Sequence, residues 1–302
     1  MIGASLAFTG MVASIKLASG RGVPLAHIIF YRGAFSVLVM SVYLKYRHLP
    51  LGSPHWRMHL RRAIAGYGGL VSYVAAVSLL PLATAVSLNY TSPLLLAAML
   101  ACLHRERPER AQLVALAGGL CGVVLLLRPT FDESQWFAGL IALSSAVLAA
   151  WTALNIRALG RLKEYPVKTV LYFSAFITVA TLPWFLLSHP AALSLQGSLA
   201  VLAAAVFAAF GQIMLTLAYQ RGHTLLVSLL GYSQVVFTSI VGIVIWNDHL
   251  PAMSWAGMAL VIASGGVATM FMRPATPNPA AVPIKLETAH EQHTPEVTRS
   301  HR

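Results

Sequence analysis

Charged residues are scarce in this chain of 302 residues, where they make up only 10% of the sequence. A soluble domain carries about 25% charged residues, so the composition excludes an ordinary cytosolic enzyme, a disordered regulator and a coiled coil. Acidic residues are the scarcest, with 9 Asp and Glu against 21 Lys and Arg. In a soluble protein this basic excess would indicate nucleic-acid binding, but here the positions of the cations indicate a different origin.

Cysteine and the motifs of common enzymes are also missing. Cys102 and Cys121 are the only two cysteines, and they offer neither a disulfide framework nor the spacing of metal ligands. The sequence has no HExxH, no GxSxG and no phosphate-binding loop. No Asp or Glu lies well inside an apolar stretch, which argues against intramembrane proteolysis. We therefore predict a protein that is not an enzyme and has no catalytic residue, cofactor or metal site.

Long apolar stretches are what the chain does contain. A membrane-spanning helix needs roughly 20 apolar residues, and stretches without Lys, Arg, Asp or Glu accommodate ten such helices. The sequence therefore predicts an all-α integral membrane protein. The predicted spans are residues 1–19, 25–46, 63–80, 83–103, 111–127, 137–157, 167–187, 197–219, 224–246 and 252–272.

The Lys and Arg residues lie mainly on one side of the predicted spans. Cytoplasmic loops attract these residues, so the asymmetry predicts that both termini are cytoplasmic in a bacterial inner membrane. The opposite side has only Arg21 and Arg128. The cations on the predicted cytoplasmic side are Lys45, Arg47, Arg57, Arg61, Arg62, Arg105, Arg107, Arg110, Arg157, Arg161, Lys163, Lys168, Arg221 and Arg273. The expected partners are thus the lipid bilayer and a small-molecule substrate rather than nucleic acid.

The chain contains an internal repeat with an offset of 141 residues. Val86-Ser87-Leu88 recurs as Val227-Ser228-Leu229, and Tyr31 recurs as Tyr172. We therefore predict two five-helix units, residues 1–129 and 130–274, followed by a disordered cytoplasmic tail at 275–302. Because five is odd, the second unit enters the membrane from the opposite side. Two inverted five-helix repeats are typical of transporters that work by alternating access.

Several short motifs support a family resemblance. Asn89-Tyr90-Thr91-Ser92-Pro93 lies in the fourth span, and Tyr232-Ser233-Gln234 and later Asp248 follow at corresponding places in the second half. In the order and spacing of these motifs the chain resembles the drug/metabolite transporter (DMT) superfamily, in particular its EamA-type ten-span transporters. Two positions depart from the pattern of the family, Gln234 where Pro is common and Asp248 where Glu is common.

The polar residues of the fourth and ninth spans are the main binding candidates. Proline at position 93 predicts a kinked helix with a freed backbone carbonyl at Asn89, a natural polar site in a bundle core. The resemblance implies that these two spans face each other across a central cavity, completed by the first, third, sixth and eighth spans. The predicted substrate-binding residues are Asn89, Tyr90, Thr91, Ser92, Tyr232, Ser233, Gln234, Trp151, Asn155, Gln212, Tyr73 and Arg32.

Arg32 is predicted to lie within the second span. It could anchor a carboxylate or phosphate of the substrate, or its side chain could extend to the membrane interface. For the polar residues as a group, the alternative to a cavity is hydrogen bonding between helices, which contributes about 0.6 kcal/mol per pair.

Three functions remain open at this point. The first is a secondary transporter, an exporter in most members of the resembled family, for a small polar or amphipathic metabolite such as an amino-acid-derived metallophore. The second is an uptake permease for a vitamin or a substrate like S-adenosylmethionine, since the second half resembles permeases of that kind. The third is a passive channel. A homodimer is left open as the oligomeric state.

Overall fold

The computed structural model describes residues 1–104, 106, 108–128, 135–188, 194–247 and 251–271, and in these residues it contains α-helices and no strands. The predicted tail and Asp248 lie outside the described residues. The helices are α1 (Ile2–Ser19), α2 (Leu25–Tyr46), α3 (Trp56–Leu79), α4 (Leu82–Asn89), α5 (Ser92–His104), α6 (Arg110–Leu127), α7 (Trp136–Arg161), α8 (Pro166–Leu187), α9 (Leu195–Arg221), α10 (Thr224–Leu230), α11 (Ser233–Trp246) and α12 (Ala252–Phe271).

Nine segments of the described chain are long and apolar enough to cross a membrane. Two of them combine a pair of consecutive helices, α4 with α5 and α10 with α11. The tenth predicted span corresponds to α12, which is not one of these nine segments. Large apolar side chains such as Leu187 and Val244 are exposed on the bundle surface, as expected for contact with lipid rather than water. The chain is therefore a multi-pass membrane protein.

Two spans are interrupted near their centres. The backbone N–H of Thr91 donates to the carbonyl of Leu88 at 3.1 Å between α4 and α5, and that of Tyr232 donates to the carbonyl of Leu229 at 3.0 Å between α10 and α11. The interruption of the fourth span lies where the sequence predicts a kink, because α4 ends at Asn89 and α5 begins at Ser92. Pro93 thus lies in the first turn of α5, where a missing N–H leaves no helical hydrogen bond unmade.

The helices pack in a regular set of pairs. The most extensive contacts join α1 to α9, α3 to α7, α6 to α12 and α2 to α8. Glycines allow the closest of these approaches. A Cβ at Gly257 of α12 would lie 2.6 Å from the carbonyl oxygen of Gly122 on α6, so the two backbones meet without side chains between them.

The third span begins earlier than the sequence predicts. Hydrophobicity places its start at residue 63, whereas α3 begins at Trp56. Arg57, Arg61 and Arg62 therefore belong to the helix and not to the preceding connection. The side chains of His59 and Arg62 are buried, whereas Arg57 and Arg61 are exposed. This correction places one cation, Arg62, inside the bundle.

Candidate substrate cavity

A cavity of about 360 Å³ lies inside the bundle. Its size is within the range of small-molecule sites, which is about 300–1,000 Å³. Residues of α1 to α5 and of α7 to α11 form its wall, so both interrupted spans contribute to it. The aromatic residues of the wall are Phe8, Tyr73, Tyr90, Phe173 and Tyr219.

The cavity brings together more than half of the predicted binding residues. Both interrupted spans supply polar side chains, as the sequence pattern predicts, and α9 supplies an amide. The predicted residues in the wall are Arg32, Tyr73, Asn89, Tyr90, Ser92, Gln212 and Gln234. The wall therefore combines amide, hydroxyl and guanidinium groups with an apolar surface.

Other predicted residues lie beside the cavity without lining it. The hydroxyl of Thr91 donates to the carbonyl of Leu88, and that of Ser233 donates to the carbonyl of Leu230, both at 2.7 Å. These two side chains bond the ends of the interrupted helices. The sequence identified the polar residues of these two segments, but it could not show which hydroxyls bond the backbone and which face the cavity.

Only some of the aromatic residues in the predicted binding set line the cavity. Trp151 is 40% exposed and Tyr232 only 1% exposed, and neither lines the cavity. The ring of Tyr232 lies in the hydrophobic core with its centroid 5.9 Å from that of Tyr90. Asn155 is also outside the lining, and its amide donates to the backbone carbonyl of Trp151 at 2.8 Å. Thr152, the next residue on α7 after Trp151, does line the cavity.

The amide of Asn89 is held at the end of α4. Its Nδ2 donates to the hydroxyl of Ser145 on α7 at 2.8 Å, and that hydroxyl donates to the carbonyl of Ala142 at 2.6 Å. Both Asn89 and Ser145 line the cavity. The hydrogen bond fixes the orientation of the amide, so the carbonyl oxygen of the side chain is available as an acceptor.

Arg62 is a cavity residue that sequence reasoning missed. It is 1% exposed, and its Cζ lies 3.6 Å from the ring centroid of Phe173 on α8. Its Nη2 donates to Oε1 of Gln212 on α9 at 3.1 Å. Within the described part of the chain, Nε and Nη1 have no hydrogen-bond partner. The spacing of His59, Arg62 and Gly66 on one helical face could have revealed this position.

Arg32 is the second cation of the wall. Its Nη1 lies 3.5 Å from the thioether sulfur of Met11 on α1, which is a weak acceptor. The prediction that Arg32 lies inside the second span agrees with its place in α2. The cavity thus has cations on α2 and on α3.

A buried carboxylate, Glu164, lies in the connection between α7 and α8. It accepts a hydrogen bond from the hydroxyl of Ser53 at 2.6 Å and lies 3.0 Å from Nδ1 of His55. Nε2 of His59 is 3.8 Å away and Nζ of Lys168 is 3.7 Å away. Burial alone would raise the pKa of Glu164, but these hydrogen bonds and nearby cations outweigh it and lower the pKa below its ordinary value.

The same cluster connects the segment before α3 to the start of α8. Lys168 donates from Nζ to the carbonyl of Gly52 at 3.0 Å, and the N–H of Ser53 donates to the hydroxyl of Tyr172 at 3.0 Å. The ring of His59 stacks on the ring of Tyr172 with centroids 4.4 Å apart. We call Ser53, His55, His59, Glu164, Lys168 and Tyr172 the Glu164 cluster.

A second carboxylate, Glu106, follows α5. Both of its oxygens lie 2.9 Å from Nη2 of Arg157, and Oε1 is 3.0 Å from Nη2 of Arg161. Burial would raise the pKa of Glu106, but the two guanidinium groups lower it overall. This ion pair joins the end of α5 to the end of α7.

The sequence is similar to those of known transporters. The EamA-like transporter family matches residues 1–128. The pseudopaline exporter CntI of Pseudomonas aeruginosa is 30% identical over 263 residues, which cover 86% of this chain and 91% of that protein. A riboflavin transporter of Rhizobium johnstonii is 26% identical over 272 residues, 87% of each chain.

The fold is also similar to that of a solved protein. A crystal structure that is 22% identical in sequence aligns with a TM-score of 0.74 and covers 89% of this chain and 96% of its own. At that identity the likeness shows a shared fold. The match of residues 1–128 to the family and the 30% identity to a relative matched over most of its length identify the chain as a member of the EamA-like transporter family of the DMT superfamily.

Proposed function

We propose that the protein is a secondary transporter that moves a small polar or amphipathic metabolite out of the cell by alternating access. The observation that carries this proposal is the cavity of about 360 Å³, with amide, hydroxyl and guanidinium groups in the interior of a membrane bundle. A structural membrane protein has no need of such a cavity. The residues that we expect to contact the substrate are those of the predicted set that line it.

The pairing of the helices supports ten spans in two inverted repeats. If α4 with α5 and α10 with α11 each count as one span, α1 and α9 are the first and eighth spans, and α7 and α3 are the sixth and third. If the first five spans are exchanged with the last five, the pair of spans one and eight becomes the pair of spans six and three. The exchange also leaves the pairs α2 with α8 and α6 with α12 unchanged. This is the pattern expected of a pseudo-two-fold axis between two five-helix units.

The interruptions follow the same relationship. Tyr90 and Gly231, the residues that follow α4 and α10, are separated by the 141-residue offset of the sequence repeat. Discontinuous helices beside a central site are typical of transporters built from inverted repeats. With the cationic loops on the inner side, both termini are cytoplasmic and the membrane is the bacterial inner membrane.

The names of the relatives support two kinds of cargo. Export of an amino-acid-derived metallophore is the first, because a relative at 30% identity is named a pseudopaline exporter. Uptake of a vitamin is the second candidate, because two relatives at lower identity are named riboflavin transporters. Tyrosine and phenylalanine side chains in the wall fit an aromatic cargo of the second kind.

Counterflow in proteoliposomes tests the proposal. Metabolites that accumulate in a deletion strain are loaded inside the vesicles, and exchange with the same labelled metabolite outside is measured over a range of concentrations. A carrier gives saturable exchange, whereas a passive channel gives a flux that rises in proportion to concentration. Flux without saturation, or none with any accumulated metabolite, would overturn the proposal.

Two substitutions test the position of the binding site. Tyr90→Ala and Gln234→Ala remove cavity side chains and should reduce exchange without reducing membrane insertion. Tyr46→Ala and Gln196→Ala are matched controls, because both residues are exposed and outside the cavity. Unchanged exchange in both cavity variants would mean that the substrate binds elsewhere.

A further inference from the structure

We propose that Arg62 anchors an anionic group of the cargo, a carboxylate or a phosphate, so that the transported metabolite is an organic acid. This inference rests on the proposed function, since it specifies the chemical class that the cavity accepts. It concerns a residue that the sequence pattern had assigned to a cytoplasmic connection, and the structure places that residue in the cavity wall.

The charge of the wall is the first argument. Arg32 and Arg62 both line the cavity, and among the described residues that line it there is no Asp or Glu. The wall therefore carries two cationic side chains and no carboxylate among the described residues. A cavity of this charge binds an anion more strongly than a neutral molecule of the same shape.

The unused donors of Arg62 are the second argument. Only Nη2 donates to a protein group, Gln212, whereas Nε and Nη1 are buried and have no partner among the described residues. A buried guanidinium is normally paired, because an unpaired charge is costly to remove from water. An acidic group of the cargo would supply the missing acceptor.

The nearest acidic cluster already has other partners. Glu164 lies 3.8 Å from His59, which is one helical turn before Arg62, and its oxygens contact Ser53, His55 and Lys168. The described residues contain no carboxylate within ion-pair distance of Arg62. The positive charge of Arg62 is therefore left to be balanced inside the cavity.

The position of Arg62 is already fixed before any cargo binds. The guanidinium lies over the ring of Phe173 at 3.6 Å, and Gln212 holds Nη2 from α9. A guanidinium is planar, and neighbouring N–H groups on it match the two oxygens of a carboxylate or phosphate. The aromatic and apolar parts of the wall accommodate the rest of the molecule.

A binding experiment with matched probes tests this inference without transport. The purified protein in lipid nanodiscs is titrated with N-acetyl-L-tyrosine and with N-acetyl-L-tyrosinamide, which differ only in the acidic group. Phenyl phosphate and phenol form the corresponding phosphate pair. We expect at least one acid to bind about tenfold more tightly than its neutral counterpart at pH 7, as a charge-assisted hydrogen bond predicts. The pair that shows the preference distinguishes a carboxylate from a phosphate.

Arg62→Gln should abolish this preference, whereas Arg61→Gln should preserve it. The two variants remove the same charge from adjacent positions of α3, but Arg61 is exposed. If Arg62→Gln does not yield a folded protein, Arg62→Lys replaces it, since lysine keeps the charge but loses the fork, and the acid should then bind about fivefold more weakly or worse.

Three results would overturn the inference. The first is that the unmodified protein binds neither acid more tightly than its neutral counterpart. The second is that Arg62→Gln keeps the preference for the acid. The third is that Arg61→Gln loses the preference to the same extent as Arg62→Gln. Transport is a separate measurement. Acid binding that depends on Arg62 without saturable exchange would contradict the proposed function alone, and saturable exchange without acid preference would contradict the anion site alone.

Discussion

Nη2 of Arg62 donates a hydrogen bond to Oε1 of Gln212 across 3.1 Å and thereby joins α3 to α9 at the cavity wall. The two residues are 150 positions apart in the sequence. Gln212 accepts from the only nitrogen of Arg62 that has a protein partner in the described chain. The amide is therefore both a part of the site and a structural partner of the buried cation.

Replacing Gln212 by Leu should destabilise the protein. Leucine has a similar size but offers no acceptor, so the guanidinium of Arg62 loses its hydrogen bond, at a cost of about 1–3 kcal/mol. Thermal unfolding in nanodiscs should show a lower midpoint than for the unmodified protein. Gln196→Leu, at an exposed position of α9, is the control. An equal midpoint for Gln212→Leu and Gln196→Leu would contradict the structural role.

Replacing Asn89 by Leu should reduce exchange more than it reduces stability. The hydroxyl of Ser145 keeps its bond to the carbonyl of Ala142, so no buried hydroxyl is left without a partner. The cavity, however, loses an amide, and we expect exchange to fall about tenfold, the effect of roughly 1.4 kcal/mol. Counterflow and thermal unfolding are measured together. A fall in stability without a fall in exchange would show that Asn89 serves only to pack α4 on α7.

Replacing Glu106 by Gln should remove its ion pairs with Arg157 and Arg161. Pairs of this partly exposed kind contribute about 0.2–1 kcal/mol, and salt weakens them. We expect a small decrease in the unfolding midpoint that becomes smaller at high salt. Arg157→Gln should have a larger effect than Arg161→Gln, because Arg157 contacts both oxygens of Glu106 and is less exposed. The opposite order would contradict the geometry.

The Glu164 cluster should make stability depend on pH in the acidic range. The folded protein lowers the pKa of Glu164 below the ordinary value of 4.5, so its carboxylate stabilises the fold above that value. This contribution is lost as the pH falls below 4.5 and through the lower pKa of the folded state. Glu164→Gln should therefore lower the unfolding midpoint at pH 7, and the difference from the unmodified protein should shrink in acid. A difference that is independent of pH would contradict this assignment.

Replacing Gly257 by Ala should weaken the contact between α6 and α12. The added Cβ would lie 2.5 Å from the backbone nitrogen of Leu126, so the helices must separate, at a cost of about 1–3 kcal/mol. Gly118→Ala is the matched control, because its nearest contact would be at an ordinary 3.7 Å. Similar unfolding midpoints for the two variants would contradict the close packing.

Apolar runs predicted the positions of the helices well, since membrane spans require uninterrupted apolar length. They failed at the start of α3, where Arg57, Arg61 and Arg62 interrupt the run. A criterion based on hydrophobicity assigns these arginines to a loop, because charged residues lower the mean hydropathy of a span. In the structure Phe173 and Gln212 stabilise the buried cation, and these contacts come from helices more than 100 residues away.

The two faces of a helix were harder to predict than its position. Trp151 and Asn155 lie on α7, but the cavity contacts that helix through residues such as Ser145 and Thr152. A helix that faces lipid on one side and packed helices on another is apolar on both, so its sequence does not identify the face that meets the cavity. The polar segments at the two interruptions do reach the cavity wall, which they line with Asn89, Tyr90, Ser92 and Gln234.

The contacts of Ser53 have a practical consequence for labelling the protein. A reporter domain or epitope inserted beside this residue would separate it from Glu164 and Tyr172, which it contacts at 2.6 Å and 3.0 Å. Topology is better mapped with single cysteines at Arg57 and Lys163, whose side chains are exposed, in a variant in which Cys102 and Cys121 are replaced by Ser. The predicted topology is supported if a membrane-impermeant maleimide reaches both positions from the same compartment, and it is wrong if the two positions are labelled from opposite sides.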